Sequence, residues 1–167
     1  QTTLDNLRTP GGGRVALSAC PGLGVPAGGA PTLAVDLAAI RAWGACALVT
    51  LVEPFELMLL GVEGLGERAR EQGLAWWHLP VVDGAAPGRR FEADWERAGP
   101  VLHGHLDRDE RIVIHCHAGL GRSGCVAARL LVERGVTADA AIQRVRRARP
   151  GAIQTAEQER WVLGLGV

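Results

Sequence analysis

The 167-residue chain carries 18 basic and 18 acidic side chains, is 47% apolar and only 22% charged, a composition that excludes a disordered or collagen-like chain. Zero formal net charge removes the general electrostatic case for a nucleic-acid or anionic-membrane partner, although not for a local positive pocket. Folding at this length buries roughly 70% of the unfolded surface, enough for one core without disulfide or metal staples.

All the basic residues are arginine, so every fixed positive charge sits on a planar fork suited to oxyanions, although biased composition explains this equally well. No run approaches the roughly 20 apolar residues of a bilayer span, and no signal-peptide pattern opens the chain. A cytoplasmic protein is the expectation. Cys20, Cys46, Cys116 and Cys125 form no CxxC pair, which in a reducing compartment predicts free thiols.

Residues 14–20 (RVALSAC) read as a buried strand, and the Gly/Pro run after them ends at Pro31, which suits the first turn of a helix. Leu33, Leu37, Ile40 and Trp43 follow at helical spacing up to Gly44. Residues 45–52 (ACALVTLV) are a second strand, closed by Pro54. Residues 63–72 predict a charged surface helix and 74–80 a third strand. After the turn chemistry of 81–90, a helix over about 91–106 tolerates Pro100 only with a kink or break. RIVIHC (111–116) is a fourth strand, and a Gly-rich turn leads into a helix over 122–134. Helices over about 138–148 and 156–164 follow, the second opened by a Thr155/Gln158 capping box. Alternating strands and helices predict an α/β fold, with a mainly parallel central sheet of about four to five strands flanked by helices on both faces.

The chemistry concentrates in HCHAGLGRSG, residues 115–124, between a buried strand and a helix. A Gly-rich strand-to-helix turn aims several backbone N–H groups at one point, and the helix dipole adds positive potential there. A thiol opening that turn, Cys116, is held where its thiolate is favoured. Arg122 can fold over the same concavity and grip two phosphoryl oxygens, while the backbone of His117, Ala118, Gly119, Leu120 and Gly121 approaches the anion. A nucleophile inside an oxyanion site suits phosphoryl transfer. Ser123 adds a hydroxyl able to stabilise the thiolate when it leaves.

These residues resemble the signature of the cysteine-dependent protein phosphatases, His-Cys, five residues, Arg-Ser/Thr. The short chain looks like their dual-specificity branch. The strings HCHAGLGRSG, HLPVVDGAAPG and GAIQT are most similar to the cyclin-dependent kinase inhibitor 3, or kinase-associated phosphatase, group. The likeness runs from about Val15 to Leu163, so one phosphatase domain over residues 1–167 is expected, with 1–10 as a poorly ordered segment. The resemblance implies that Asp83 protonates the leaving oxygen, with Asp94 as runner-up. It implies that Gln154 helps position the hydrolytic water, against the structural alternative of a helix cap at Thr155. His115 would support the loop rather than transfer protons.

His103, His105, His115, Cys116 and His117 could be read as zinc ligands, but neighbouring strand residues face opposite ways, so no metal or other cofactor is expected. Cys20, Cys46 and Cys125 read as packing thiols. Arg89 and Arg90 read as a solvated pair, and Arg144, Arg146, Arg147 and Arg149 as an exposed helix face. The loop carries no Lys or Arg between Cys116 and Arg122, which favours a phosphoprotein over an inositol lipid as substrate. The expected protein is a monomeric phosphoprotein phosphatase without nucleic-acid or membrane partners. A catalytically silent phospho-binding module, a sulfurtransferase and an arsenate reductase are the competing readings.

Overall fold

The four apolar runs become parallel strands, and a fifth strand outside any apolar run joins them antiparallel at one edge. A computed structural model describes residues 2–23 and 32–166, so the Gly/Pro loop of residues 24–31 and the helix start expected at Pro31 lie outside the described residues. In chain order the elements are β1 (Asp5–Arg8), β2 (Arg14–Ser18), α1 (Thr32–Ala42), β3 (Ala45–Thr50), α2 (Pro54–Leu59) and α3 (Leu65–Glu71). β4 (Ala75–His78), α4 (Arg89–Asp107), β5 (Arg111–His115), α5 (Gly121–Glu133), α6 (Ala138–Ala148) and α7 (Ala156–Gly164) follow.

The sheet order is β1-β2-β5-β3-β4, with β2, β5, β3 and β4 parallel. Ile112, Val113 and Ile114 of β5 and Ala47, Leu48 and Val49 of β3 are fully buried, as central strands covered on both faces must be. From β2 to β3 and from β3 to β4 the chain crosses the sheet one way, and from β4 to β5 it returns. Right-handed crossovers therefore put α1 and α3 on one face and α4 on the other. Contacts agree: α1 touches α3, while α5 packs against α6 and α7 and reaches α4 through Arg129 and Glu92.

Three expectations need correction. Residues 1–10 were expected to be poorly ordered, yet β1 pairs antiparallel with β2 from Asp5↔Leu17 to Arg8↔Arg14. An edge strand buries one face only, and Leu7 alone of DNLR is buried, so no apolar run announces it. The helix over 91–106 was expected to bend or stop at Pro100. There is no break: α4 is continuous from Arg89 to Asp107 with Pro100 on its exposed face, while Phe91, Trp95, Ala98, Leu102 and Leu106 anchor both halves to the core. Pro54 was read only as a strand stop, and it opens α2, whose first turn is held by Glu53 N–H donating to Glu56 Oε2 at 2.7 Å.

Ser18, His115, Thr50 and His78 end the four parallel strands in register. The connections leaving them gather at the carboxyl edge of the sheet, where α/β proteins place their sites. Among the described residues no helix is long and apolar enough to cross a membrane.

Candidate active site

The turn from β5 into α5 is built from outside inward. His117 O accepts from Cys20 N–H at 2.9 Å, Ala118 O from Arg149 Nη2 at 2.9 Å and Leu120 O from Ile153 N–H at 3.0 Å. In a trans peptide the N–H of the next residue points opposite to each carbonyl. Drawing three carbonyls outward therefore turns the amides of Ala118, Gly119 and Gly121 toward the inside of the loop. Gly119 has φ +74°, and a Cβ there would overlap the Ser18 carbonyl, so only glycine fits.

Cys116, 3% exposed, sits at the loop's start with its Sγ 3.4 Å from Ser123 Oγ. Arg122 is 1% exposed and heavily paired. Its Nη1 donates to Glu56 Oε2 at 2.7 Å and to Val81 O at 3.0 Å, and its Nη2 donates to Glu56 Oε1 at 2.9 Å. Asp83 Oδ1 lies 3.2 Å from the same Nη2 on a side chain 72% exposed. Glu56 therefore fixes one edge of the guanidinium, and the edge beside Asp83 is the one a phosphoryl group can take. Burial opposes the Glu56 charge, but hydrogen bonding and charge pairing with Arg122 override it and hold the carboxyl below its usual range.

His115 is fully buried, and burial, reinforced by His78 and Arg122, pushes its pKa down to about 4. The neutral ring has one N–H. Nδ1 faces a carbonyl, Cys116 O at 3.1 Å, which can only accept, so Nδ1 carries the proton. Nε2 then accepts from Thr50 Oγ1 at 2.7 Å, and Thr50 Oγ1 in turn accepts from Trp76 Nε1 at 2.8 Å. This chain pins the end of β5 while leaving no histidine nitrogen for the thiol. The unfolded chain protonates His115 near pH 6.5 and the folded one near 4, so its stabilisation is full above 6.5 and lost as pH falls toward 4. Denaturant titrations should show about 3 kcal/mol lost across that window. His115→Asn should flatten the loss, and an equal slope in both proteins would refute the assignment.

The loop carrying Asp83 is fastened at both ends. Val81 N–H donates to Leu51 O at 2.8 Å, Thr155 Oγ1 to Gly84 O at 3.1 Å and Gln158 Nε2 to Ala85 O at 3.1 Å. Asp94, the runner-up acid, lies in α4 paired with Arg97 at 3.3 Å. Gln154 is exposed beside the phosphate loop, where a Cβ on Gly121 would come 2.8 Å from its Oε1. It is not the helix cap: Thr155 Oγ1 accepts from Gln158 N–H at 3.1 Å and Gln158 Oε1 accepts from Thr155 N–H at 3.1 Å.

The sequence signals pick out neither Glu56 nor the inward role of Arg149, and they show Gln158 as the capping-box residue it is but not its bond to the Asp83 loop. The only signal for Glu56 was an acid two residues after a proline that was read as a stop. Arg149 was taken as part of an exposed face, yet its side chain is 15% exposed and bridges Ala118 O to Asp5 Oδ2 at 2.8 Å. Of the residues in the zinc-ligand reading, His103 pairs with Glu133 at 3.1 Å, while His105 lies 3.6 Å from Glu110 in a group with Cys46. Burial, followed by the nearby Cys116, raises Cys20 and Cys125 to about 12, and burial with Glu110 raises Cys46 to about 11, so all three favour the neutral thiol.

The mostly parallel five-stranded sheet, with helices on both faces and an HC-x5-RS turn at its carboxyl edge, has the α/β architecture of the dual-specificity phosphatases. Residues 21–136 match the Tc-R-P family model, described as "Polymorphic toxin system, DSP-PTPase phosphatase", and the chain belongs to that family. Among curated relatives it is 38% identical over 88 residues to "Tyrosine-protein phosphatase CDC14" of Candida albicans, covering 51% of this chain and 16% of the relative. It is 35% identical over 106 residues to "Cyclin-dependent kinase inhibitor 3" of Rattus norvegicus, covering 62% of this chain and 49% of the relative. The chain thus spans at most about half of these relatives, 16% of one and 49% of the other. Kinase associated phosphatase with its catalytic-site cysteine replaced by serine superposes with TM-score 0.78 at 27% identity, covering 89% of this chain and 83% of that one. Tk-PTP in its active form superposes with TM-score 0.73 at 27% identity, covering 99% and 95%.

Proposed function

We propose that this chain hydrolyses phosphate monoesters on proteins through a phosphocysteine intermediate, with no metal or other cofactor. The observation that carries the reading is that Asp83, from a separate loop, lies 3.2 Å from the buried Arg122 guanidinium carried by the same turn as Cys116. The Cys116 thiolate attacks phosphorus in line, and the S–P bond forms as the P–O bond to the leaving group breaks. Arg122 and the loop amides of residues 117–122 hold the equatorial oxygens. Asp83 gives its proton to the leaving oxygen, and its carboxylate then takes one from the water that cleaves the S–P bond. Ser123 donates a hydrogen bond to the departing thiolate. Gln154, beside Gly121, orients the water, while His115 and Glu56 hold the loop and the guanidinium.

Family membership favours this over the sulfurtransferase, arsenate-reductase and silent-binding readings. The reading extends to one domain over residues 1–167, acting as a monomer in the cytoplasm on phosphorylated proteins, with neither nucleic acid nor membrane as partner.

Acid-quenched turnover of p-nitrophenyl phosphate in a chelator should leave labelled phosphate on Cys116. Asp83→Asn should lower kcat/KM by roughly 10²–10⁴-fold, more for alkyl than for nitrophenyl leaving groups, because the better leaving group needs less of the proton. Turnover with no phosphocysteine, or equal losses on both substrate types, would overturn the assignment.

A further inference from the structure

Phe55, Met58, Leu59 and Val82 are 55%, 69%, 79% and 59% exposed, four of the seven large apolar side chains that face solvent among the described residues. Val35, Val101 and Leu163, the other three, stand apart in α1, α4 and α7. Isolated exposed apolar residues are ordinary, whereas a contiguous group marks a contact surface.

The four converge on one place. In α2, Phe55, Met58 and Leu59 stand at i, i+3 and i+4 and form one stripe, while Leu57 packs inward at 5% exposure. At about 100° per residue, Leu59 and Phe55 lie about 60° and 100° round the helix from Glu56. Glu56 itself reaches Arg122, so the stripe begins beside the guanidinium. On the opposite side, Val81 O accepts from that guanidinium and Asp83 faces it, which puts Val82 on the rim as well. The α2 stripe and Val82 thus flank the mouth of the phosphate site, each next to a residue that holds Arg122.

We propose that this rim is a docking surface for the substrate chain, selecting phosphoproteins with aliphatic or aromatic residues beside the phosphorylated one. The proposal rests on the phosphatase reading and narrows its substrate class. Charge decides between a peptide and a membrane. The stretch 53–63 contains Glu53, Glu56 and Glu63 and no basic residue, so it repels an anionic lipid surface and disfavours acidic residues flanking the phosphate. An apolar side chain seated on the stripe gains burial without meeting that charge.

The test uses the full chain and labelled phosphotyrosine and phosphothreonine peptides carrying Leu, Ser or Glu on both sides of the phosphoresidue. Leu-flanked peptides should show kcat/KM at least about tenfold above Ser-flanked ones and further above Glu-flanked ones. Met58→Ser/Leu59→Ser, and separately Phe55→Ser, should bring the Leu:Ser ratio to within about twofold of unity, with p-nitrophenyl phosphate turnover held within about twofold. The small substrate reports folding and chemistry together. Equal rates for all flanks, or a preference that survives both variants, would overturn the proposal. So would a dimer in sedimentation that the double variant dissolves, or binding to phosphatidylserine vesicles that it abolishes. If p-nitrophenyl phosphate is not hydrolysed at all, the phosphatase reading fails by itself. The flank preference is then still decided by fluorescence anisotropy of the same peptides on the unmodified protein.

Discussion

Cys116→Ser is expected to remove at least about 10⁴-fold of kcat toward p-nitrophenyl phosphate while leaving the fold intact. The fold should survive because the loop hangs on the carbonyls of His117, Ala118 and Leu120, not on the thiol, whose described polar neighbour is Ser123 Oγ at 3.4 Å. The chemistry should not survive. A hydroxyl needs a base to become a nucleophile near neutrality, and the adjacent His115 spends its acceptor nitrogen on Thr50 and its N–H on the Cys116 carbonyl. The variant should still bind phosphosubstrates, since Arg122 and the loop amides are untouched. Full activity of the serine protein would refute the mechanism, and a melting temperature lowered by tens of degrees would refute the account of what holds the loop.

Glu56→Gln is expected to damage both activity and stability. Arg122 is 1% exposed and Glu56 11%, so the pair is largely hidden from water, and its two bonds of 2.7 and 2.9 Å fix the plane of the guanidinium. Removing one charge from such a pair leaves the other buried and uncompensated, at a cost of about 3–5 kcal/mol. Asp83, 72% exposed, would become the remaining anionic neighbour of Arg122 and would be drawn toward it and away from the proposed proton transfer. Vanadate or phosphate should bind about tenfold or more weakly, and kcat/KM should fall by about 10²-fold or more. Because the paired Glu56 carboxyl titrates below its unfolded value, its stabilisation is present above the ordinary carboxylate range and lost as pH falls through the folded value. Unchanged melting and unchanged vanadate affinity in Glu56→Gln would show that Arg122 is held by other means.

The two variants differ in how visible their residues are in the sequence. Cys116, the glycines, Arg122 and Ser123 lie within ten consecutive residues, and a strand-to-helix turn brings them together by local geometry alone. Asp83 was reached through family resemblance, since nothing in its own surroundings marks it as an acid. Glu56 meets Arg122 across 66 residues, and Arg149 meets Ala118 across 31 and Asp5 across 144. Such partners are chosen by tertiary packing, which leaves no periodicity to read. The same limit explains β1, whose one buried side chain makes no pattern, and α4, where burial on both sides of Pro100 outweighs the local preference to stop.

The links from Arg149 back to Asp5 and from Thr155 and Gln158 back to Gly84 and Ala85 also bear on the order in which the molecule is made. The HC-x5-RS turn is encoded in one short stretch, but two of the three fastenings of its carbonyls and two of the three of the Asp83 loop come from residues 149–158, and Arg149, which makes one of them, also reaches the first strand. Contacts of such long sequence separation form late, after the entropy of closing large loops has been met. A chain that stops before Arg149 would carry Cys116, Arg122 and Asp83 without most of the framework that orients them. Order at the site is thus set by residues 149–158 as much as by the motif itself.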